Sequence, residues 1–165
     1  MYSSIILLDM HTRMHRNMAV LLNHCAGLGH EQFTQQLDGF GFPTVHVQLF
    51  HTLATEWFWM SVVRGAAQPV DEREKYNTPQ LLEDYRQHVA GLTADYLTVA
   101  SVDELNTVRR MEVDPGDFED FKPSNIFMRC LTHQYHHQGQ VLAMCRLLGH
   151  PRTDDLDLDY PIDNM

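Results

Sequence analysis

The sequence predicts an all-α fold, a four-helix bundle with a long connection before the last helix. Four long segments carry apolar side chains at the spacing of one helix face, and residues that start and stop helices bound them. The connection over 103–123 lacks a sustained helical period, and its Asp-Pro-Gly-Asp turn at 114–117 is compatible with a small β-hairpin. At 165 residues the chain is expected to form a single domain, 1–165.

The first three predicted helices have recognisable ends. They cover about 4–26, 43–64 and 79–100. Gly65 follows the second helix, and Thr78 with Pro79 gives the third a strong start, since threonine caps a helix and proline suits its first turn. Gly91 weakens the interior of the third helix and is compatible with a close helix crossing.

The second helix is apolar almost all round, with Val47, Leu49, Leu53, Trp57 and Phe58 spread over its faces. A small domain has few places to bury every side of a helix. Either this helix is central in the bundle, or one of its faces meets a second subunit. We expect a homodimer, because two-fold contacts between helices are the common solution.

The last predicted helix runs from Ser124, a candidate N-cap, to Gly149, a residue suited to follow a helix end. One stripe of this helix has mostly apolar or thiol side chains but contains two imidazoles. The stripe consists of Ile126, Cys130, His133, His137, Val141, Met144 and Leu148. Polar groups on a buried stripe need partners, because burying them without hydrogen bonds is costly. A metal ion would be such a partner.

Spacing alone does not establish a metal site. The chain has 11 histidines, and at that density roughly 0.7 His-x-x-x-His pairs are expected by chance. His133 and His137 nevertheless stack one above the other on one helix face, in chelating geometry. His51, on an apolar stripe of the second helix, offers a third imidazole. The alternative is that each is a core histidine with a hydrogen-bond partner.

Composition excludes some classes of function. The formal net charge is −10, which argues against nucleic acid and against an anionic membrane surface. The three cysteines are an odd number without a Cys-x-x-Cys motif, which favours a reducing cytoplasm. The apolar run at the N-terminus stops at Asp9, so no signal peptide is expected. No Ser-His-Asp set, phosphate loop or clear general base is recognisable, so no catalytic residue is assigned.

Two motifs resemble the DinB/YfiT-like superfamily. The first is Thr132-His-Gln-Tyr-His-His-Gln-Gly-Gln140 in the last helix, and the second is His51-Thr-Leu-Ala-Thr-Glu-Trp-Phe-Trp59 in the second. The resemblance implies a four-helix bundle, usually dimeric, that holds a divalent ion, zinc or nickel, through His51, His133 and His137. Many members have arginine where this chain has Gln138, which leaves any anchoring role of that arginine in doubt here.

The resemblance also implies a range of activities. Similar proteins include transferases of low-molecular-weight thiols and a thiol-dependent isomerase, while others are described as metal-dependent hydrolases. We therefore expect a divalent-metal-binding protein that acts as a thiol S-transferase. The alternatives are a metal-dependent hydrolase and a non-catalytic, stress-related metal-binding dimer. A plain bundle whose histidines make only hydrogen bonds is the fourth reading.

Other polar residues have simpler expected roles. His11 and His15 are expected to be partly exposed at the edge of the bundle core, and Glu56, off the His51 stripe, to be solvated or salt-bridged rather than a general base. Cys130 is expected to be a small buried residue rather than a thiolate ligand. Gly139 is expected to allow close helix packing, with the approach of a substrate as the alternative. Gln140 is a candidate to orient a ligand ring, with helix capping or an interhelical contact as its alternatives.

Overall fold

The computed structural model describes residues 1–69 and 72–153, and it confirms a helical bundle with a small hairpin before the last helix. The helices are α1 (Ser4–Cys25), α2 (His30–Thr34), α3 (Val45–Val63), α4 (Pro79–Val99), α5 (Val102–Asn106) and α6 (Pro123–Leu147). The hairpin strands are β1 (Arg109–Asp114) and β2 (Asp117–Phe121), and Arg73–Tyr76 forms one 3-10 turn. None of the helices in the described ranges is long and apolar enough to cross a membrane.

Side-chain caps start three of the four long helices. The side chains of Ser3, Thr44 and Thr78 accept hydrogen bonds from backbone N–H groups in the first turns of α1, α3 and α4. Such caps satisfy donors that have no partner inside the helix. The predicted cap of the last helix is wrong by two residues: Lys122 is its N-cap and Pro123 opens it. Ser124 instead lies buried inside the first turn.

Glycines end α3 and α6 as predicted. Gly149 has φ 77°, its N–H bonds to the carbonyl of Arg146, and the N–H of His150 bonds to that of Cys145. After α3, Gly65 has φ 79°. Its N–H and the N–H of the next residue make the equivalent pair of bonds to carbonyl groups of α3. These are Schellman motifs, in which a left-handed glycine turns the chain and satisfies the last carbonyl groups.

The long helices pack in two pairs, α1 against α4 and α3 against α6, and the pairs meet through α3–α4 and α1–α6 contacts. The main core between them contains side chains that are at most 2% exposed, among them Met18, Leu21, Leu49, Leu53, Leu82 and Met144. Each fully buried side chain of this size stabilises the fold by about 1.5–3 kcal/mol. Because α3 also contacts α2 and β1, it takes the central position that its apolar character allows.

The predicted hairpin is confirmed. Strands β1 and β2 are antiparallel, with Arg109 opposite Phe121 and Met111 opposite Glu119. Gly116, with φ 80°, turns the chain between them. Met111 packs with Val62 and Trp59 of α3 in a second apolar cluster. The hairpin thus covers the C-terminal part of α3.

The connections contain more structure than the sequence indicates. Residues 30–42, predicted as a connection without helix, include α2, and the stretch over 103–123 begins inside α5. Both helices have only five residues and one buried anchor, Phe33 and Leu105 respectively. A short helix that buries only one side chain has no repeat of apolar residues from which the sequence could predict it. The acidic tail, expected to lie back across the bundle, falls in 154–165, outside the described residues.

Candidate metal centre

Packing of α3 against α6 brings His51, His133 and His137 together. The Nε2 of His133 lies 3.1 Å from Nε2 of His51 and 3.0 Å from Nε2 of His137. Two of the rings come from consecutive turns of α6, and the third faces them from α3. Nitrogens bound to one zinc ion in tetrahedral geometry are about 3.3 Å apart. The three nitrogens therefore stand at separations close to those of ligands of one ion.

A hydrogen-bond chain fixes the tautomer of His137. Gln48 donates its Nε2–H to Oε1 of Gln140 at 2.6 Å, so its own Oε1 is an acceptor. That oxygen lies 2.6 Å from Nδ1 of His137, which must therefore be the donor. Since neutral imidazole carries one proton, the Nε2 of His137 has a free lone pair. Gln140 also lies 3.0 Å from Nε2 of His136, which is the last residue in this series of hydrogen bonds.

Hydrogen bonds alone do not satisfy the three imidazoles. The Nε2 of His137 only accepts. The Nε2 of His51 faces the same nitrogen of His133. In a neutral His133 that nitrogen cannot donate to His137 and accept from His51 at once, so the two contacts cannot both be normal hydrogen bonds. A divalent cation would take up all three lone pairs at once, so the residues present fit the ion that three converging imidazoles imply.

The electrostatics of the three rings favour the neutral form. Burial, followed by the charges of neighbouring histidines, lowers the pKa of His133 and of His137 to about 4 in each case. Burial also lowers the pKa of His51. Imidazole binds a metal only when neutral. At pH 7 the three rings are therefore ready to act as ligands.

The site is walled on one side and open on another. The ring of Phe42 stacks on His51, with centroids 3.9 Å apart and 24° between the planes, and it meets His137 edge-on. His51 and His133 retain intermediate exposure, whereas His137 is buried. An ion here would have three protein ligands and room on the solvent side, the arrangement of catalytic rather than structural zinc sites.

Comparison with known sequences and structures identifies the family of this chain. The model of the DinB family matches residues 1–162. The chain belongs to the DinB family. A crystal structure of a DinB-like protein from Bacillus cereus ATCC 10987 superposes with a TM-score of 0.69 at 18% identity, covering 90% of this chain and 95% of that one. At this identity the likeness concerns the fold. No curated protein matches the chain.

Glu56 does not join the three histidines in this DinB-family chain. It is buried in a separate cluster, 2.9 Å from Nε2 of His11 and 3.0 Å from Nε2 of His15, and it accepts a hydrogen bond from Thr93. The expected partial exposure of His11 and His15 is wrong: they are 8% and 4% exposed. Glu56 is 3% exposed, so the solvated alternative is wrong. Its close partners are His11 and His15, which make salt bridges with it only when they are protonated.

The environment sets the protonation of this buried cluster. Burial alone would raise the pKa of Glu56, but the charges and hydrogen bonds of His15 and His11 hold it well below its usual value. For His11 the balance is reversed, because burial lowers its pKa more than Glu56 raises it. The carboxylate is therefore ionised at neutral pH.

The remaining predictions concern a cysteine, two glycines and Gln138. Cys130 is buried, and its burial raises the pKa of the thiol, as expected of a small core residue rather than a thiolate. Among the residues that the structure describes, no close packing occurs at Gly139 or Gly91, since a Cβ built on either meets nothing within 4 Å. Gln138 is buried, so its side chain belongs to the core rather than to an exposed substrate anchor.

Gln48 is a residue of the candidate site that the sequence does not single out. Its side chain is completely buried, and it links His137 to Gln140. A weak signal was present, because a glutamine three residues before His51 is unusual in a helix that is apolar almost all round. For Gln140 the interhelical alternative is confirmed, because its Oε1 accepts a hydrogen bond from Gln48 of α3. Orientation of a ring by Gln140, acting through Gln48, stays a prediction.

Proposed function

We propose that this chain binds a divalent ion, zinc or nickel, through His51, His133 and His137, and that it is a transferase acting with a low-molecular-weight thiol. The observation that carries the proposal is the convergence of three neutral imidazole nitrogens, one of them held as a lone-pair donor by Gln48. Imidazole ligands suit both zinc and nickel. Family membership supports a metal site but does not select a reaction.

When bound, such an ion lowers the pKa of a thiol or water at its open position and so provides a nucleophile at neutral pH. The protein's residues hold and shape that position. Gln48 orients His137, and Phe42 stacks on His51 and forms an apolar wall. Arg129, one turn before His133, lies with its guanidinium carbon 4.5 Å from the centroid of the Trp59 ring.

The thiol is supplied by the substrate. Cys25, Cys130 and Cys145 are all buried, so none is available to an incoming electrophile. A free thiol has a pKa of about 8.5, against 15.7 for water, so a thiol needs less help from a base. The cluster around His51 contains no Asp or Glu among the described residues, and Glu56 is engaged elsewhere. The lack of a carboxylate base beside the three histidines supports thiol transfer, and hydrolysis stays the alternative because three histidine ligands also suit a bound water.

We also propose that the protein is a homodimer and works in the cytoplasm. Trp57, Phe58 and Ala54 keep part of their surface exposed along α3, and a second copy would cover them. Free cysteines suit a reducing compartment. Molar mass from light scattering checks the dimer, and a mass of about 19.1 kDa at micromolar concentration would contradict it.

Metal content and turnover test the proposed site together. The full chain, freed of any tag, is compared with a variant carrying His51→Ala, His133→Ala and His137→Ala. We expect the variant to lose one zinc or nickel equivalent per chain and all thiol transfer to model electrophiles. His30→Ala, at an exposed histidine, should change neither. Unchanged metal content in the triple variant would contradict the site. Normal metal content without turnover on any thiol would leave the non-catalytic alternative.

A further inference from the structure

A second group of potential metal ligands lies inside the bundle, apart from the three histidines. It joins three helices: His11 and His15 from α1, Glu56 from α3, and Thr93 from α4. All four are at most 8% exposed. His11 and His15 are one helical turn apart, so both rings point to the same side of α1, where they meet the carboxylate of Glu56.

The contacts of Glu56 use both oxygens of its carboxylate. Oε1 lies 2.9 Å from Nε2 of His11 and accepts a hydrogen bond from Thr93 at 2.8 Å. Nε2 of His15 lies 3.1 Å from Oε1 and 3.0 Å from Oε2. Two imidazole nitrogens and a carboxylate this close together match the separations of ligands around one ion.

The charge of Glu56 has no permanent counter-ion. Within the part of the chain that the structure describes, its ion pairs are with His11 and His15, not with lysine or arginine. A buried charge is retained when it is paired or when it coordinates a metal. Either one imidazole is protonated, or a cation lies between the three side chains.

A cavity beside these residues is large enough to hold a water molecule. It holds about 20 Å³, and His11, Glu56 and Thr93 form its polar wall. A cavity of about 10–15 Å³ already accommodates one water molecule. Apolar residues such as Phe127 and Leu131 close the other side. Two imidazoles, one carboxylate and one water make a complete tetrahedral ligand set.

We propose that His11, His15 and Glu56 bind a second divalent transition-metal ion, enclosed in the bundle, that ties α1 to α3. Glu56 follows His51 by five residues, so the two sites lie about 7.5 Å apart along α3. That separation is too long for two ions to share a bridging ligand, which needs about 3.5–4 Å. Because His11, His15 and Glu56 are buried, the second ion has a structural role, whereas the first lies beside half-exposed histidines and faces solvent.

Zinc stoichiometry tests this site independently of the first. Metal-free full-length protein is loaded with zinc chloride, desalted, and analysed for zinc per chain. We expect two equivalents in the unmodified protein and one in the His51→Ala, His133→Ala, His137→Ala variant. Adding Glu56→Gln to that variant should remove the remaining equivalent, because the amide keeps the size of the side chain but loses its charge. Adding His30→Ala instead should leave it in place.

Each outcome assigns success or failure to one site. A folded triple variant without zinc overturns the second site, whether or not the first one stands. One equivalent in both proteins overturns the first site and leaves the second. Should the triple variant not fold, Glu56→Gln alone decides: the zinc content must fall from two equivalents to one. An unchanged content means that Glu56 serves only a hydrogen-bond network.

Discussion

Oε1 of Gln48 lies 2.6 Å from Nδ1 of His137, although 89 residues separate them in the chain. The contact joins α3 to α6 next to the three histidines. It also determines which nitrogen of His137 faces the candidate ion. A hydrogen bond of this kind orients the ring and raises its basicity as a ligand, and its loss typically reduces metal affinity 10- to 100-fold.

We therefore expect Gln48→Leu to weaken zinc binding at the three-histidine site by about 10- to 100-fold. Gln48→Glu should largely restore affinity, because a carboxylate oxygen accepts the same proton from Nδ1. Competition with a chromophoric chelator measures both, in a Glu56→Gln background that removes the second proposed site. Equal affinities for Gln48→Leu and the unmodified residue would contradict a supporting role of the Gln48–His137 hydrogen bond in metal binding.

Removal of the Phe42 ring should also weaken the site, but less. The ring stacks on His51 with centroids 3.9 Å apart, and such aromatic contacts contribute about 0.5–1.5 kcal/mol. We expect Phe42→Ala to lower zinc affinity by about two- to tenfold, since 1.4 kcal/mol corresponds to a factor of ten. Phe118→Ala, on the exposed hairpin, is the matched control and should have no effect. A larger loss for the control would point to the hairpin instead.

The fold and part of the site could be predicted because their signals are local. Thr78 with Pro79, and Gly149 after α6, act on the turn in which they stand. His133 and His137 lie on one face by helix geometry alone. The partner of His137 could not be found in this way, since Gln48 reaches it only through the way α3 packs against α6.

The cluster around Glu56 escaped prediction for a similar reason. Glu56 lies off the stripe of His51 because it faces α1 and α4 rather than α6. Its partners His11 and His15 then appear on an edge of the α1 apolar face, where sequence periodicity cannot distinguish a buried polar group from a half-exposed one. Only the packing of three helices decides between these environments.

The cysteines should be unreactive in the folded protein. Cys25 and Cys145 are completely buried, with their sulfur atoms 3.8 Å apart, and Cys130 is 7% exposed. The contact with Cys145 and burial both raise the pKa of Cys25, and thiols react as thiolates. A colorimetric disulfide reagent should therefore titrate no thiol in the native protein and all three in denaturant. A fast-reacting native thiol would mean that the protein supplies its own nucleophile.

Two glycines inside helices offer a gain in stability. Gly91 in α4 and Gly139 in α6 have open space where a Cβ would lie, and alanine is more favourable than glycine in a helix by about 0.8–1 kcal/mol. Gly91→Ala and Gly139→Ala should each raise the free energy of unfolding by about that amount. Gly149→Ala should lower it, because φ of 77° suits glycine and not alanine.

Denaturant unfolding measures these three changes, and zinc binding and thiol transfer are followed on the same samples. Gly91 is remote from the three histidines in sequence, so it serves as the control for Gly139, two residues after His137. If Gly139→Ala stabilises the protein but impairs thiol transfer, while Gly91→Ala stabilises it without that cost, substrate approaches along Gly139. If Gly139→Ala destabilises the protein, another surface must pack there, and the proposed second copy of the chain is then the first partner to test.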